Sequence, residues 1–337
     1  MKEYSFRQKA GALLLDAPRL LGVLRGTGRW MHYGNRGDRL RFDPEGRGVA
    51  CEWEFTRPLH LCDVFPAFGR HLLAAALRDC PIRLLEAPEE TAADGLAPGV
   101  SFIVGHRGLD RLPQLLLALQ SIAAQTGVSF ECIVVEQDAS PLVRDDLPDW
   151  VRYVHDPIGV PETPYSRSRA FNAGAALARG RVLILHDNDL LVPERYAEHA
   201  WKLVEEGFEV VNLKRFIFYR SEGIQAGQSP LAGNVESVLE NATGGGSLAV
   251  ARETFEALGR MDDSFEGWGG EDVEFWQRAR TRRVWNCGFL PLVHLWHSDQ
   301  PGKTPAKKTP GMARLEQLSE IPPERRIETL LQKGKRP

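Results

Sequence analysis

The chain has 337 residues, of which 43% are hydrophobic and 26% charged, and its formal net charge is −3. This length allows one large domain and a smaller one, and the composition supports a sizeable core. The slightly acidic balance argues against a general nucleic-acid-binding protein, so we expect no nucleic acid partner.

Three features of the sequence bear on its cellular compartment. No stretch reaches the roughly 18 consecutive apolar residues of a transmembrane segment. The opening contains Glu3 and breaks its apolar run at Asp16, unlike a secretory signal peptide. The five cysteines are scattered without a CxxC pair, which favours reduced thiols over disulfides or a zinc site. We therefore expect a cytoplasmic protein.

Residues 1–95 differ from the rest of the chain in their pattern of apolar and turn-forming residues. They mix an apolar opening, turn-rich segments and a helical pattern at 70–79 (RHLLAAALRD), which predicts a small α+β domain of unknown role. The acidic, proline-containing segment 86–99 is typical of a linker.

From residue 100 onward, short apolar runs alternate with helical patterns. The runs lie at 100–104 (VSFIV), 131–136 (ECIVVE) and 181–185 (RVLIL), with helical patterns at 111–125 and 166–180 between them. This alternation predicts βαβ units around a buried parallel sheet, and therefore an α/β fold. Ligands of such sheets bind at the carboxyl ends of the strands, so we expect the functional residues there.

The segment HDNDLL (186–191) follows the third predicted strand directly. Asp187 and Asp189 thus fall at its carboxyl end, where two carboxylates one residue apart can hold a hard divalent cation. The alternative interpretation is an Asx turn with Asn188 at its corner. The position at a strand end favours the cation site.

The segment HLWH (294–297) carries two histidines three residues apart. Such a pair is more often two ordinary surface or core histidines. A Mn²⁺-type ion accepts mixed carboxylate and imidazole ligands, however, and the two aspartates alone leave its coordination incomplete. We expect His297 as the third ligand and His294 as a fourth, or one histidine on the metal and the other on a phosphate.

Basic residues lie at predicted strand-to-helix crossings: Arg107 after the first strand, and Arg167 and Arg169 at a helix start. Arginine binds phosphate through paired hydrogen bonds or stacks on a base, and a helix N-terminus favours anions. Any one of them could be a solvated side chain, but three at such crossings indicate a nucleotide site. Asp138 also follows a strand, where its carboxylate could accept hydrogen bonds from a ribose or uracil.

The segment GWGGEDVEFW (267–276) places an aromatic residue and two carboxylates behind glycines. A group that is transferred needs an incoming hydroxyl, and that hydroxyl needs a base within hydrogen-bond reach. We predict Asp272 as this base, Glu271 as a residue that holds the sugar or acceptor, and Trp268 as an apolar face for a sugar ring.

Gly269 and Gly270 would let this loop close over bound substrates. The alternative is a helix N-terminus with favourable acidic residues in its first turn, which leaves the tryptophan and glycines unexplained. Together with the cation site, the loop suits a nucleotide diphosphate bound through a metal that neutralises the departing diphosphate.

These motifs resemble those of GT-A glycosyltransferases. The segments 100–122 and 131–140 resemble the opening of the inverting family 2 enzymes. The later motifs at 166–180, 186–193 and 244–275, followed by HLWH, are similar in order to those of the β-1,4-galactosyltransferase family and bacterial chondroitin-type polymerases. The resemblance covers residues 99–298.

The resemblance implies a GT-A (Rossmann-like) domain over 99–300 that belongs to bacterial polysaccharide biosynthesis. It implies transfer of a hexose, of the galactose or N-acetylgalactosamine type, from a UDP-sugar to a hydroxyl acceptor such as a glycan. The reaction would be a single inverting step that depends on Mn²⁺ or Mg²⁺.

The resemblance also implies roles for individual residues. It assigns the metal to Asp189 and His297, and the base to Asp272. It places four further side chains around the nucleotide and sugar: Arg107, Arg167, Asp187 and Trp268.

Three departures from the family leave parts of this interpretation open. His294 stands where the galactosyltransferases usually carry methionine, so the preferred metal is open. The Golgi members have a membrane anchor and disulfides, and this sequence shows neither. Residues 1–95 match no known pattern, so the acceptor is open as well.

Two other functions compete with this one. The same fold could support a retaining or nucleotidyl transferase, or a catalytically idle module that binds a sugar nucleotide or glycan; the complete acid–base and metal set favours the inverting enzyme. The remainder, 301–337, is a basic, proline-rich tail with a helix at 325–333. A surface tail is the simpler interpretation, with weak contact to the inner face of the membrane as the alternative.

Overall fold

The computed structural model describes residues 5–27, 29–33, 38–42, 48–53, 60–89, 97–157, 164–222, 229–240, 244–298 and 309–334. In chain order, the helices and strands are α1 (Phe6–Leu24), β1 (Asp38–Phe42), β2 (Gly48–Trp53), α2 (Leu61–Val64), α3 (Pro66–Asp79), β3 (Val100–His106), α4 (Leu112–Ala123), β4 (Phe130–Glu136), β5 (Arg152–His155), α5 (Arg167–Leu177), β6 (Val182–His186), β7 (Leu190–Leu191), α6 (Tyr196–Glu205), β8 (Val210–Arg220), β9 (Val235–Glu240), β10 (Ser247–Ala251), α7 (Arg252–Ala257), α8 (Glu271–Ala279), β11 (Val284–His294), α9 (Pro310–Ser319) and α10 (Pro323–Lys333). Short 3-10 turns lie at Trp30–His32 and Arg144–Asp146.

One sheet contains all the described strands, in the order β1-β2-β11-β8-β10-β6-β3-β4-β5, with β7 beside β11 and β9 beside β8. The strands β6, β3, β4 and β5 are mutually parallel. Counted from β3, they stand in the order 3-2-1-4, which is that of doubly wound nucleotide-binding sheets. The predicted α/β class and its buried parallel sheet are confirmed.

Three of the four parallel strands, β3, β4 and β6, form where the apolar runs of the sequence predict them, whereas β5 was not predicted. β3 is buried along its whole length, because α4 and α5 cover the sheet beside it. The buried face of α4 includes Leu115, Leu119 and Ile122, which recur at helical spacing. On α5, a Cβ on Gly174 would lie 2.3 Å from Ile103 Cγ2, so only glycine allows this close approach to β3.

The second half of the sheet is mixed. β10 runs antiparallel to both β6 and β8, whereas β11 runs parallel to β8. At its far end, β11 also pairs antiparallel with β7, so that His294 lies opposite Leu190. This pairing brings the end of β11 to the carboxyl end of β6.

The N-terminal residues extend the same sheet. β2 runs parallel to β11, with Gly48 opposite Val284. Beneath it, a core cluster joins Leu20 of α1 and Leu72 of α3 to Phe216 of β8. The separate domain predicted over 1–95, like the other predicted domain boundaries, stays a prediction, and the linker residues 90–96 lie outside the described residues.

The C-terminal helix predicted over 325–333 is confirmed as part of α10, whereas the basic residues 301–308 lie outside the described residues. Among the described helices, none combines the length and apolar character needed to cross a membrane. The cytoplasmic location stays a prediction.

A buried charge network holds α10 against α8. Arg278 is fully buried and donates to both carboxylate oxygens of Glu274, the closest contact being 2.7 Å. It also donates to the carbonyls of Leu258 and Arg260. Arg326 of α10 reaches the same Glu274 carboxylate at 3.2 Å. The Glu274 carboxylate thus links α8 to α10.

We expect Arg278→Met to lower the free energy of unfolding by about 3 kcal/mol or more, because it breaks a buried ion pair and leaves two carbonyls without a donor. Chemical denaturation measures this change. Arg280→Met changes an exposed arginine two residues further along the chain and should change stability by less than about 0.5 kcal/mol. Equal effects of the two substitutions would contradict the structural role of the network.

Candidate functional site

Backbone hydrogen bonds bring the two predicted ligand segments together. The chain after β6 turns so that Asp187 N–H donates to the Gly246 carbonyl at 2.8 Å. Two residues later, the Asp189 carbonyl accepts from Leu295 N–H at 2.8 Å. Gln114 of α4 holds the next turn by donating to the Trp296 carbonyl at 2.9 Å. The HLWH segment therefore lies beside Asp189.

Asp189, His294 and His297 form a cluster whose ligand atoms lie within 4.8 Å of one another. His297 Nε2 lies 3.2 Å from Asp189 Oδ2, and His294 Nε2 lies 3.6 Å from Asp189 Oδ1. Asp189 Oδ1 is buried and accepts no hydrogen bond. A buried carboxylate oxygen without a donor, facing two imidazoles, fits a divalent transition metal such as Mn²⁺.

The electrostatics of the cluster keep its atoms in the form that binds a metal. Burial alone would raise the pKa of Asp189, but Arg111 and the positive charges that His294 and His297 carry at low pH outweigh burial and hold it well below its usual range. Burial lowers the pKa of His294, against the opposing effect of Asp189, so its imidazole is neutral at pH 7. An ionised carboxylate and a neutral imidazole are the ligand forms that metal binding requires.

His297 has two alternative partners at Nδ1. Arg111 lies 3.1 Å away and could donate to it, whereas the Ser298 carbonyl lies 2.7 Å away and could accept from it. One tautomer cannot satisfy both contacts. A ring that binds a metal through Nε2 carries its proton on Nδ1, and so selects the Ser298 carbonyl.

Arg111 is a site residue that the sequence analysis missed. Its guanidinium donates to Asp189 Oδ2 at 3.0 Å in addition to facing His297. It lies at the N-cap of α4, after β3, so the rule that strand ends carry the ligands could have found it. A guanidinium beside a metal site can bind the oxygens of a phosphate.

Arg167 lies between the aspartate segment and α8. Its Nε donates to Asp187 Oδ1 at 2.7 Å, and its Nη1 lies 3.8 Å from Glu271 Oε1. Burial lowers the pKa of Arg167, but the carboxylates of Asp187, Glu271 and Asp272 overcome that effect and raise it above its ordinary value. This arginine links Asp187 and Glu271, which lie 84 positions apart in the sequence.

Glu271 stands at the start of α8 with one oxygen toward Arg167. Its Oε2 is buried and accepts no hydrogen bond. Burial raises the pKa of Glu271 to about 7, with Arg167 opposing and Asp272 adding to the shift. The group can therefore donate or accept a hydrogen bond near neutral pH.

Asp272 follows, and its two oxygens differ in environment. Oδ1 accepts from Val273 N–H at 2.7 Å. Oδ2 faces Gly245, where an added Cβ would lie 2.5 Å from it. Gly244 and Gly245 thus pack closely on Asp272, and a side chain at position 245 would displace Oδ2.

The two glycines before α8 adopt a backbone conformation that other residues rarely adopt. Gly269 and Gly270 both have φ of 98°, in the left-handed region that favours glycine. A Cβ on Gly270 would lie 2.7 Å from the Gly311 carbonyl, so α9 packs directly on the loop. Trp268 is about half exposed. The predicted contacts of these three residues with a substrate stay predictions.

The remaining predicted residues divide into two places. Arg107 Nε lies 3.8 Å from Asp138 Oδ1, and Asp138 Oδ2 accepts from Gly108 N–H at 2.7 Å, at the ends of β3 and β4. Arg169 instead turns outward, is about half exposed and binds Asp156 at 2.5 Å. The structure does not bring Arg169 to the cluster, and its predicted role stays a prediction.

Lys214 of β8 is a second buried residue that the sequence analysis missed. Its Nζ donates to the Ser247 carbonyl, directly after the triple glycine. Burial, together with the charge of Arg167, lowers the pKa of Lys214 to about 7, while Asp187 and Asp272 oppose the shift. Lys214 lies in the middle of a strand, and the sequence around it contains no motif that could have identified it.

Two family models match the region that holds these residues. Glycosyl transferase family 2 matches residues 109–251, and the N-terminal domain of galactosyltransferase matches residues 236–289. Residues 109–289 are therefore similar to two glycosyltransferase families, and the resemblance to these families predicted from the motifs is confirmed.

Among curated proteins, the human polypeptide N-acetylgalactosaminyltransferase 12 is 32% identical over 98 residues, which are 28% of this chain and 15% of that protein. The mouse protein of the same name is 24% identical over 183 residues, or 45% of this chain and 31% of its own length. The chain thus spans less than a third of either relative. These relatives are animal proteins, and the bacterial origin stays a prediction.

Among solved structures, the catalytic domain of Drosophila β1,4-galactosyltransferase 7 with xylobiose aligns at 19% identity and a TM-score of 0.39, covering 65% of this chain and 79% of that one. GalNAc-T7 with UDP, GalNAc and Mn²⁺ aligns at 18% identity and a TM-score of 0.45, covering 67% of this chain and 48% of that one.

The raised pKa of Glu271 makes a prediction about stability. A carboxyl that binds its proton more tightly when folded stabilises the protein below its unfolded pKa, and this contribution is lost as the pH rises through about 7. We expect Glu271→Gln to be as stable as the wild type at pH 4 and more stable by about 1–3 kcal/mol at pH 8. Urea unfolding at both pH values measures the difference.

Glu320→Gln, at the exposed end of α9, controls for the loss of a negative charge. If the Glu271→Gln variant and the wild type were equally stable at pH 8, the buried carboxylate would not have the environment described here.

Proposed function

We propose that this chain is a metal-dependent, inverting glycosyltransferase that moves a hexose from a UDP-sugar to a hydroxyl acceptor, such as a glycan. The observation that carries the proposal is the cluster of Asp189, His294 and His297, assembled from two distant segments around a buried oxygen without a donor. Arg167 connects Asp187, two residues before Asp189, to Glu271 of α8.

The nucleotide is expected at the carboxyl ends of β3, β4 and β6. Asp138 and Arg107 lie at the ends of β3 and β4, where they can contact the uridine. Asp189, His294 and His297 would hold Mn²⁺, which would neutralise negative charge on the departing UDP. Arg111 and Arg167 would add hydrogen bonds to its phosphate oxygens.

Asp272 is proposed as the base. Its Oδ2 lies against Gly245, in a contact that only a residue without a Cβ allows, and a carboxylate held there can accept the proton of an incoming hydroxyl. The hydroxyl oxygen then bonds to the anomeric carbon as the bond from that carbon to UDP breaks on the opposite face. One displacement of this kind inverts the configuration.

Glu271 is proposed to bind a hydroxyl of the transferred sugar. Its buried Oε2 lacks a hydrogen-bond partner, and a sugar hydroxyl can supply one in either protonation state of the carboxyl. The names of the relatives refer to galactose and N-acetylgalactosamine transfer, which favours a donor of this type.

The metal cluster makes a direct prediction. We expect Mn²⁺ binding, followed by the loss of the free-ion signal in electron paramagnetic resonance, to disappear in Asp189→Ala and to weaken at least about tenfold in His294→Ala. His71→Ala removes an exposed imidazole from α3 and should bind like the wild type. Unchanged binding by Asp189→Ala would contradict the proposed site.

The base makes a second prediction. With Mn²⁺ and UDP-galactose or UDP-N-acetylgalactosamine, we expect Asp272→Asn to lower kcat for UDP release by about 10²–10⁴-fold, because the hydroxyl loses its proton acceptor. Binding of the donor should change little. Gly245→Ala should also lower kcat, since its Cβ would displace Oδ2. Gly11→Ala meets no neighbouring atom and is the matched control.

Full activity of Asp272→Asn would remove this residue from the base role. The anomeric configuration of the product, read by NMR, separates the inverting reaction from the retaining one. Donor binding without turnover across a panel of glycan acceptors would favour the idle binding module.

A further inference from the structure

Helix α1 exposes large apolar side chains. Phe6 is 86% exposed and Leu14 is 76% exposed. Leu13, Leu15, Leu21 and Leu24 are each close to half exposed. Single exposed leucines are common on protein surfaces, but six such residues on one helix need an explanation.

Five of these six residues, all except Leu15, lie on one side of the helix. At about 100° per residue, the five fall within an arc of about 100°. We call this arc the outer face of α1; with Ala10 between them, its residues are Phe6, Ala10, Leu13, Leu14, Leu21 and Leu24. The buried side, which adjoins this arc next to Leu13, packs on the protein through Ala12, Asp16, Leu20 and Val23.

The charges around the outer face are positive. Arg7 and Arg25 border it on one side and Lys9 on the other, and Arg29 follows the helix; all four are exposed. Among residues 5–27 and 29–33, the only acidic side chain is Asp16, which is fully buried. This region is therefore basic in a chain whose net charge is −3.

Helix α1 is held in place from its buried side. Ser5 and Gln8 form a capping box at its start. Asp16 accepts from Leu61 N–H at 2.7 Å and from Tyr33 O–H at 3.2 Å, which fixes the helix to α2 and to the turn before β1. The outer face is thus presented by a formed helix in a fixed orientation.

We propose that the outer face of α1 docks on an anionic membrane surface. An apolar arc bordered by arginine and lysine is complementary to acyl chains beside acidic headgroups. A second copy of the chain fits less well, because pairing two outer faces antiparallel would bring Arg7 near the partner copy's Arg25. Like charges would then meet across the apolar contact.

Vesicle co-sedimentation of the full chain tests the proposal without a sugar nucleotide, so its result is independent of the proposed enzymatic activity. We expect binding to vesicles of phosphatidylcholine with about one third phosphatidylserine to be at least about tenfold stronger than to phosphatidylcholine alone. Raising the salt concentration should weaken this binding.

Two double variants separate the apolar and charged contributions. Leu14→Gln/Leu21→Gln should lower the vesicle partition coefficient at least about tenfold, because two buried contacts with the acyl region are lost. Arg7→Gln/Arg25→Gln should reduce the preference for anionic vesicles. The control is Leu142→Gln/Leu331→Gln, which changes two leucines on other parts of the surface, 44% and 37% exposed, and should bind like the wild type.

The proposal is wrong if the wild type ignores anionic vesicles, or if both test variants bind them as the wild type does. It is also overturned if sedimentation velocity without vesicles shows a dimer that Leu14→Gln/Leu21→Gln dissociates, since the outer face would then bind a second copy. Circular dichroism checks folding; should the leucine variant fail to fold, wild-type binding by the arginine variant overturns the proposal.

Discussion

The carboxylates buried at the end of the sheet constrain this structure most strongly. An ionised group taken out of water costs several kcal/mol unless another charge or hydrogen bond compensates it. Arg111 compensates Asp189, and Arg167 compensates Asp187 and part of Glu271. One oxygen each of Asp189 and Glu271 still lacks a partner. Such incomplete compensation is expected where a ligand supplies the remaining interactions.

The sequence predicts three of the four parallel strands, β3, β4 and β6, because each is largely apolar on both faces, whereas β5 (RYVH) is partly exposed and was not predicted. β3 and β6 are buried at every position, so their runs of valine, leucine and isoleucine stand out from the helices between them. β8 is equally buried but contains Lys214 and Arg215. These side chains are accommodated by the carbonyls of Ser247 and Met31, which lie far away in the sequence. No local pattern anticipates such partners, and the sequence analysis therefore predicted no strand there.

The same distinction applies to the site. Asp189 and His297 occur in short motifs with recognisable spacing, and the structure brings their side chains to 3.2 Å. Arg111 contacts both of them, but its position after β3 marks it only as one of several polar residues near a strand end, without a motif of its own. The raised pKa of Glu271 likewise depends on its burial, which cannot be read from the sequence. Ligand types could be predicted from the chain, whereas the groups that set their charge required the tertiary structure.

The N-terminal region and the candidate site share structural support. Val293 and Leu295 flank His294 in the chain and belong to the same core cluster as Leu20 of α1. Arg215, next to Lys214 in β8, donates to the Met31 carbonyl at 2.8 Å. β11 therefore carries the candidate metal ligand His294 and also packs against the N-terminal helices. Because packed cores resist continuous deformation, the orientation of α1 and the position of His294 are set together.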